Sequence, residues 1–201
     1  MSKLFAILRS LFATLGAFGA TVAPAQPMAL DSLLGIRMGL SIEAQLGQCP
    51  KNEKGEYEPG FQKSDKACWA PLTYGKEVRL PQKLMDETRI PFLTPKVATR
   101  EGLVVEIDVS AWHDHSRDME RYLIRLYGKP HDAQTYQTDS RLFGRSSSQT
   151  RTWRASGIAL YFDQGQSSGH ARIRMVNLAW EALDVKEREE RQLERQRRGN
   201  R

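Results

Sequence analysis

The segment Gly102–Ala111 (GLVVEIDVSA) constrains this chain most, because Val105, Ile107 and Val109 alternate along it with Glu106, Asp108 and Ser110. Successive side chains of a strand point to opposite faces, so the pattern predicts a sheet with one buried and one polar face. Such a sheet needs a cover on its apolar side, and a helix follows at once. Met119, Tyr122, Leu123, Leu126 and Tyr127 recur at helical spacing after Ser116. Ser116 is a capping residue type, and Asp118 falls where a first turn favours an acid. Gly128 and Pro130 close the segment, which predicts a helix over Ser116–Tyr127.

Strand signals flank this pair. Lys76–Leu80 (KEVRL) reads as a short strand stopped by Pro81, and the connector that follows holds a short helix around Lys83–Thr88. Downstream, Ala133–Thr138 is a weak strand and Ser146, Ser147 and Ser148 mark a turn. Arg151–Asp163 and Ala171–Trp180 read as two strands of an antiparallel hairpin joined by the Gly165–Gly169 loop. The expected fold is therefore α+β, an antiparallel sheet with helices packed on one face. Its expected core is Val105, Ile107, Val109, Tyr122, Leu123, Leu126, Ile158, Leu160, Ile173 and Met175.

The amino terminus has the layout of a secretory signal. Lys3 and Arg9 form a basic head, Ser10–Ala23 is apolar with small residues, and Ala23-Pro24-Ala25 is an A-x-A cleavage site, with Gln26 first after the cut. The apolar run is shorter than the roughly 20 residues that span a bilayer. A mean hydropathy of −0.55 argues against several membrane spans. The chain thus divides into a signal over 1–25, one α+β domain over 26–180 and a charged helical tail over 181–201. Localisation is expected to be periplasmic or secreted, without integral membrane insertion.

Export changes how the cysteines read. Cys49 and Cys68 are the chain's two cysteines, and an oxidising compartment favours joining them. Their spacing fits neither a metal site nor a C-x-x-C redox pair. The segment between them is rich in Lys, Glu, Gly and Pro, so it is a surface loop stapled at its ends. Tyr57 and Phe61 within it, with Trp69 just beyond, are candidate binding residues, because a pre-organised loop loses less entropy when it engages a partner.

Two places in the chain echo each other. Gly39-Leu40-Ser41 opens a short helical piece ending Leu46-Gly47-Gln48-Cys49-Pro50, and the second helix ends Leu126-Tyr127-Gly128-Lys129-Pro130. The first half resembles the G-[ML]-[ST]…L-G-x-P opening of exported SmpA/OmlA-like modules and of the β-lactamase-inhibitor-protein repeat. It departs from them in the short span from Ser41 to Gly47, in Cys49 before Pro50, and in having Gln26 where a lipid-accepting cysteine would stand. The resemblance implies helices on one face of an antiparallel sheet, in a fold type whose relatives bind or scaffold.

His113-Asp114-His115, with Asp118 beyond, is the densest set of potential ligands or general bases. On a continuing strand the two histidines would share a face and could hold a metal. At a strand-to-helix junction they serve in capping and solvation instead. No Walker loop, H-E-x-x-H or G-x-G-x-x-G occurs, and the one G-x-S-x-G spacing, Gly165-Gln166-Ser167-Ser168-Gly169, falls in the loop expected to join two antiparallel strands rather than at a strand-to-helix turn. No catalytic residue, metal ligand or cofactor is therefore assigned. A sequence pI near 9.4 invites a nucleic-acid reading, but export and the lack of any RNP-like, helix-turn-helix or zinc pattern argue against one. The tail pairs Asp184 with Arg188, Glu187 with Arg191 and Glu194 with Arg198 at i,i+4, which predicts a solvated helix. The leading expectation is a non-enzymatic protein that binds another protein or an envelope component. The alternative is a metal-dependent or acid/base hydrolase using His113 and His115.

Overall fold

A computed structural model describes residues 28–57, 66–90, 94–140, 144–165 and 170–199. The expected signal over 1–25 and the loop residue Phe61 lie outside them. The chain opens with a two-stranded hairpin, β1 (Ser32–Leu33) and β2 (Ile36–Arg37), followed by α1 (Ile42–Gln45) and β3 (Gly47–Gln48). Then come β4 (Cys68–Pro71), β5 (Lys76–Arg79), α2 (Gln82–Thr88), β6 (Lys96–Arg100) and β7 (Leu103–Trp112). A 3-10 turn at His113–His115 leads into α3 (Ser116–Tyr127). The rest is β8 (Asp132–Ser140), β9 (Gly144–Ala155), β10 (Ile158–Asp163), β11 (His170–Asn177) and α4 (Leu178–Gly199).

Nine strands form one sheet in the order β3-β4-β5-β6-β7-β11-β10-β9-β8. Neighbours are antiparallel except β3 and β4, which run parallel in register Gly47↔Cys68. The α+β class predicted from the alternation is the class observed. One face carries the main core, where Ile107, Val109, Leu160, Phe162, Ile173 and Met175 are solvent-excluded. Three helices reach this same cluster, with Ile42 from α1, Met85 from α2, and Met119 and Leu123 from α3. Ser41 caps α1, its Oγ accepting from the Ala44 amide at 3.4 Å. Tight turns set the register on both sides of the sheet. Glu101-Gly102 joins β6 to β7 and Ser156-Gly157 joins β9 to β10, with all four φ angles positive, as two-residue hairpin turns require.

Several boundaries differ from the sequence reading. Val104 is solvent-excluded and Val105 only partly buried, because pairing with β6 slips between Ala98 and Thr99. The slip leaves Val105 as the extra residue of a β-bulge, which shifts the inward phase by one position. Leu126 and Ile158, expected in the core, are half-buried at its rim. Ser116 is the first residue of α3 and is buried, whereas the capping position falls to His115 at the end of the 3-10 turn.

Ser146, Ser147 and Ser148 are not a turn but lie in β9, paired with Thr138, Gln137 and Tyr136. Arg151–Asp163 is two strands rather than one, since Ser156-Gly157 reverses the chain inside it. The last strand stops at Asn177, and Trp180 belongs to α4, whose start is capped by Asn177 Oδ1 accepting from the Ala179 and Trp180 amides. The charged helical tail thus begins at Leu178, earlier than the expected boundary at 181.

Candidate binding surface

Outward positions of the central strands form the second face of the sheet. Register places Asp108, Arg174 and Tyr161 in one row across β7, β11 and β10, with Glu106, Val176 and Ala159 in the row beside it. Arg174 donates to Glu106 from Nε at 3.0 Å and to Glu181 from Nη1 at 2.6 Å. Burial opposes the charge on Arg174, but the bonds to Glu106 and Glu181 outweigh it and hold its pKa above the ordinary arginine value. Tyr161 donates to Glu181 at 3.3 Å, and its phenol is pushed up by burial and by that carboxylate. Arg100 pairs with Glu187 at 3.1 Å.

These bonds lay the first turns of α4 over part of the second face, where Val176 and Ala159 are solvent-excluded although they lie apart from the main core. Helices therefore stand on both faces. Three cover the apolar side, and α4 is held to the polar side by arginine–carboxylate pairs.

Below α4 the described residues leave the second face uncovered. Arg172 makes a two-pronged contact with Asp108, at 2.9 and 2.5 Å, and these bonds raise its pKa. The next row brings Trp112 directly opposite His170, with ring centroids 4.6 Å apart. Trp112 is 61% exposed, Tyr136 on β8 is 50% exposed, and the Arg172 side chain is 54% exposed. Trp, Tyr and Arg are the residue types most often found at interface hot spots. Sequence reasoning missed this surface. The available signal was a tryptophan at an outward position of an otherwise polar register, continuing Glu106, Asp108 and Ser110.

Two of the three candidate aromatics of the stapled loop, Tyr57 and Trp69, lie within the described residues. Cys49 and Cys68 are joined, with Cα atoms 4.9 Å apart, and the bridge ties the parallel strands β3 and β4. Trp69 is half-buried against the core, with Lys76 Nζ 4.9 Å above its ring, and Lys76 in turn pairs with Glu43 of α1. Tyr57 is half-buried, its hydroxyl accepts a hydrogen bond from the Gln48 side-chain Nε2, and its ring lies under Lys51 at 5.1 Å. Gln48, which bonds Tyr57, also stands directly opposite Trp69 across β3 and β4.

His113 and His115 stand on the 3-10 turn, where β7 has already ended. His113 Nδ1 is 2.9 Å from the Gln164 carbonyl, so one of its ring nitrogens is used to join that turn to the end of β10. His131 Nδ1 accepts from the Arg154 amide at 3.0 Å. Among the described residues no group of three or more His, Cys, Asp or Glu side chains is placed to hold a metal ion. A cleft of about 700 Å³ between α2 and α3 is lined by Asp86, Glu87, Arg89, Asp118, Arg121 and Arg125, and its Arg121 and Asp118 neutralise each other at 2.5 Å. Comparison with protein-family models, curated proteins and solved structures returned no match to this chain. No helix among the described residues is long and apolar enough to cross a membrane.

Proposed function

We propose that this is an exported, non-enzymatic protein that binds another protein or an envelope component through the open part of its second sheet face. The observation that carries the reading is Trp112, a large aromatic 61% exposed at the end of a central strand, flanked by His170 and by the Arg172–Asp108 pair. Leaving so large an apolar side chain in water forgoes burial worth roughly 1.5–3 kcal/mol for side chains of this class, which a partner would recover. The buttressed arginine adds a directional polar contact beside it. Export is supported by the basic head, apolar run and A-x-A site of residues 1–25, and by the Cys49–Cys68 bridge. The resemblance to SmpA/OmlA-like and β-lactamase-inhibitor-protein modules points the same way.

The hydrolase alternative needs both imidazoles of His113 and His115 turned to one ligand or substrate. The 3-10 turn and the His113–Gln164 contact do not favour that arrangement.

Two measurements test the proposal. The mass of the exported product should correspond to a chain beginning at Gln26, and retention of Met1–Ala25 would refute processing. A photo-crosslinking residue at position 112 should give one defined adduct in the host envelope, whereas the same residue at the exposed position of Lys83 should not. Equal labelling from both positions, or none from position 112, would refute the surface.

A further inference from the structure

We propose that β8 is a self-pairing edge, so that two copies of this chain associate antiparallel, β8 against β8, about a twofold axis at Thr135. The inference concerns the edge of the sheet rather than its second face; Tyr136 belongs to both, and the pairing rests on the β8 backbone, not on Trp112 or Arg172. β8 is the outermost strand of the sheet, and each residue from His131 to Gln137 is exposed. An edge strand presents a row of unpaired backbone donors and acceptors, and edges are normally blunted by lysine, proline, bulges or short length. β8 (DAQTYQTDS) has no lysine, proline or bulge, and its two charges, Asp132 and Asp139, stand near its ends. It is nine residues long, and its pairing with β9 runs without a slip from Asp132↔Thr152 to Ser140↔Gly144.

The strand also belongs to an overhang. β10 pairs with β9 over Thr150–Ala155, with one further bond from the Gln164 amide to the Gln149 carbonyl, so among the described residues Gly144 to Ser148 and their β8 partners extend past it as a two-stranded arm. Ribbons of two strands are marginal in water and gain from a third.

A second copy fits this edge because the register is self-complementary. With Thr135 opposite Thr135 of the second copy, Gln134 falls opposite Tyr136, Ala133 opposite Gln137, and Asp132 opposite Thr138. One position further out, His131 falls opposite Asp139 at both ends. The Arg154 amide already donates to His131 Nδ1, so the ring proton sits on Nε2 and is available to an acceptor. The Tyr136 hydroxyl already donates to the Gln134 side-chain oxygen within one copy, the same donor and acceptor that meet across the axis. Paired threonines and complementary polar pairs are favourable cross-strand contacts. Sliding the register by one residue sets residues whose backbone groups point outward against residues whose groups point inward, which loses the ladder hydrogen bonds, and in one direction it also opposes Asp132 to Asp139, carboxylate to carboxylate.

Pairing two edges buries less than the roughly 1,600 Å² of a standard interface, so association should be weak and visible only at high protein concentration. Sedimentation velocity on the processed protein, from about 1 to about 500 μM, should show a dimer fraction that rises with concentration. Thr135→Lys places two ammonium groups at the axis and should weaken dimerisation at least tenfold while leaving the thermal midpoint unchanged. Thr135→Cys should form a disulfide-linked dimer on mild oxidation, with the native cysteines already joined to each other. Gln137→Cys, opposite alanine in this register, should not. A monomer at every concentration, a Thr135→Lys protein that dimerises like the native one, or Gln137→Cys linking as readily as Thr135→Cys would each overturn the proposal.

Discussion

Arg79 is the residue whose environment sits least comfortably. It is 7% exposed on β5, and its Nε and Nη1 meet no acceptor among the described residues. A buried donor left unpaired costs about 1–3 kcal/mol, more for a charged group. Arg79→Met keeps the aliphatic stem and removes those donors, so it should raise the urea midpoint, and a lowered midpoint would show that the guanidinium is paired in solution. Glu43 is the opposite case. Its hydrogen bonds from Lys76 and then Ser41 lower its pKa to about 2. A carboxyl depressed in the folded state adds stability that is fully present above its unfolded pKa, near 4.5, and is lost as pH falls towards 2. Urea titrations across that window should show a shallower loss for Glu43→Gln than for the native protein, and identical slopes would deny the Lys76–Glu43 pair any role in acid stability. The alternation in Gly102–Ala111 placed Ile107 and Val109 correctly on the inward side. It missed the exchange of Val105 for Val104, because a bulge depends on the partner strand and leaves no periodic mark on its own.

Among the elements, two turn glycines separate conformation from space. Gly157 has φ +78° with no described atom within 4 Å of where a Cβ would stand, whereas Gly75 has φ +94° and its Cβ would lie 2.6 Å from the Val97 carbonyl oxygen. Gly157→Ala should therefore cost only the left-handed penalty of about 1–2 kcal/mol. Gly75→Ala should cost clearly more, because the backbone of β6 must also move. Chemical denaturation of the two variants compares them directly, and equal losses would mean that β6 yields without cost. Removing the bridge with Cys49→Ser and Cys68→Ser should destabilise by about 2–5 kcal/mol, since the reduced chain regains the freedom of the loop between them. Thiol titration of the unfolded, non-reduced native protein should find no reactive cysteine. The helix over Ser116–Tyr127 was readable because its apolar stripe repeats over three turns and glycine stops it. The reversal at Ser156-Gly157 was passed over because both of its flanks look like strand.

For the molecule as a whole, α4 does two different things along its length. Its first turns cover Val176 and Ala159 and tie Arg174, Tyr161 and Arg100 through Glu181 and Glu187. From Arg188 to Arg198 every residue is exposed, with Arg188 paired to Asp184 at 2.6 Å along the helix itself. A chain ending at Glu187 should therefore keep its stability within about 0.5 kcal/mol, as for surface changes generally. A chain ending at Asn177 uncovers two apolar side chains and leaves Arg174 without Glu181, so its thermal midpoint should fall sharply. Similar midpoints for the two truncations would mean that α4 contributes nothing to the second face.

By itself the sequence determined the α+β class, the principal helix, the inward faces of the last two strands and the cysteine pairing. Each of these follows from a local pattern, namely a repeat of two or 3.6, a stop signal, or the only possible partner for a thiol. Tertiary structure alone decided the strand order, the parallel β3–β4 pair, the bulge at Val105 and the side of the sheet that α4 covers. The same holds for the candidate surface. Trp112, His170 and Arg172 lie on strands whose pairing brings together residues about sixty positions apart, and no local pattern carries that register. Tyr57 and Trp69 are both half-buried for the same kind of reason, with Gln48, Lys51 and Lys76 beside them, because a side chain's exposure depends on what packs beside it rather than on its neighbours along the chain.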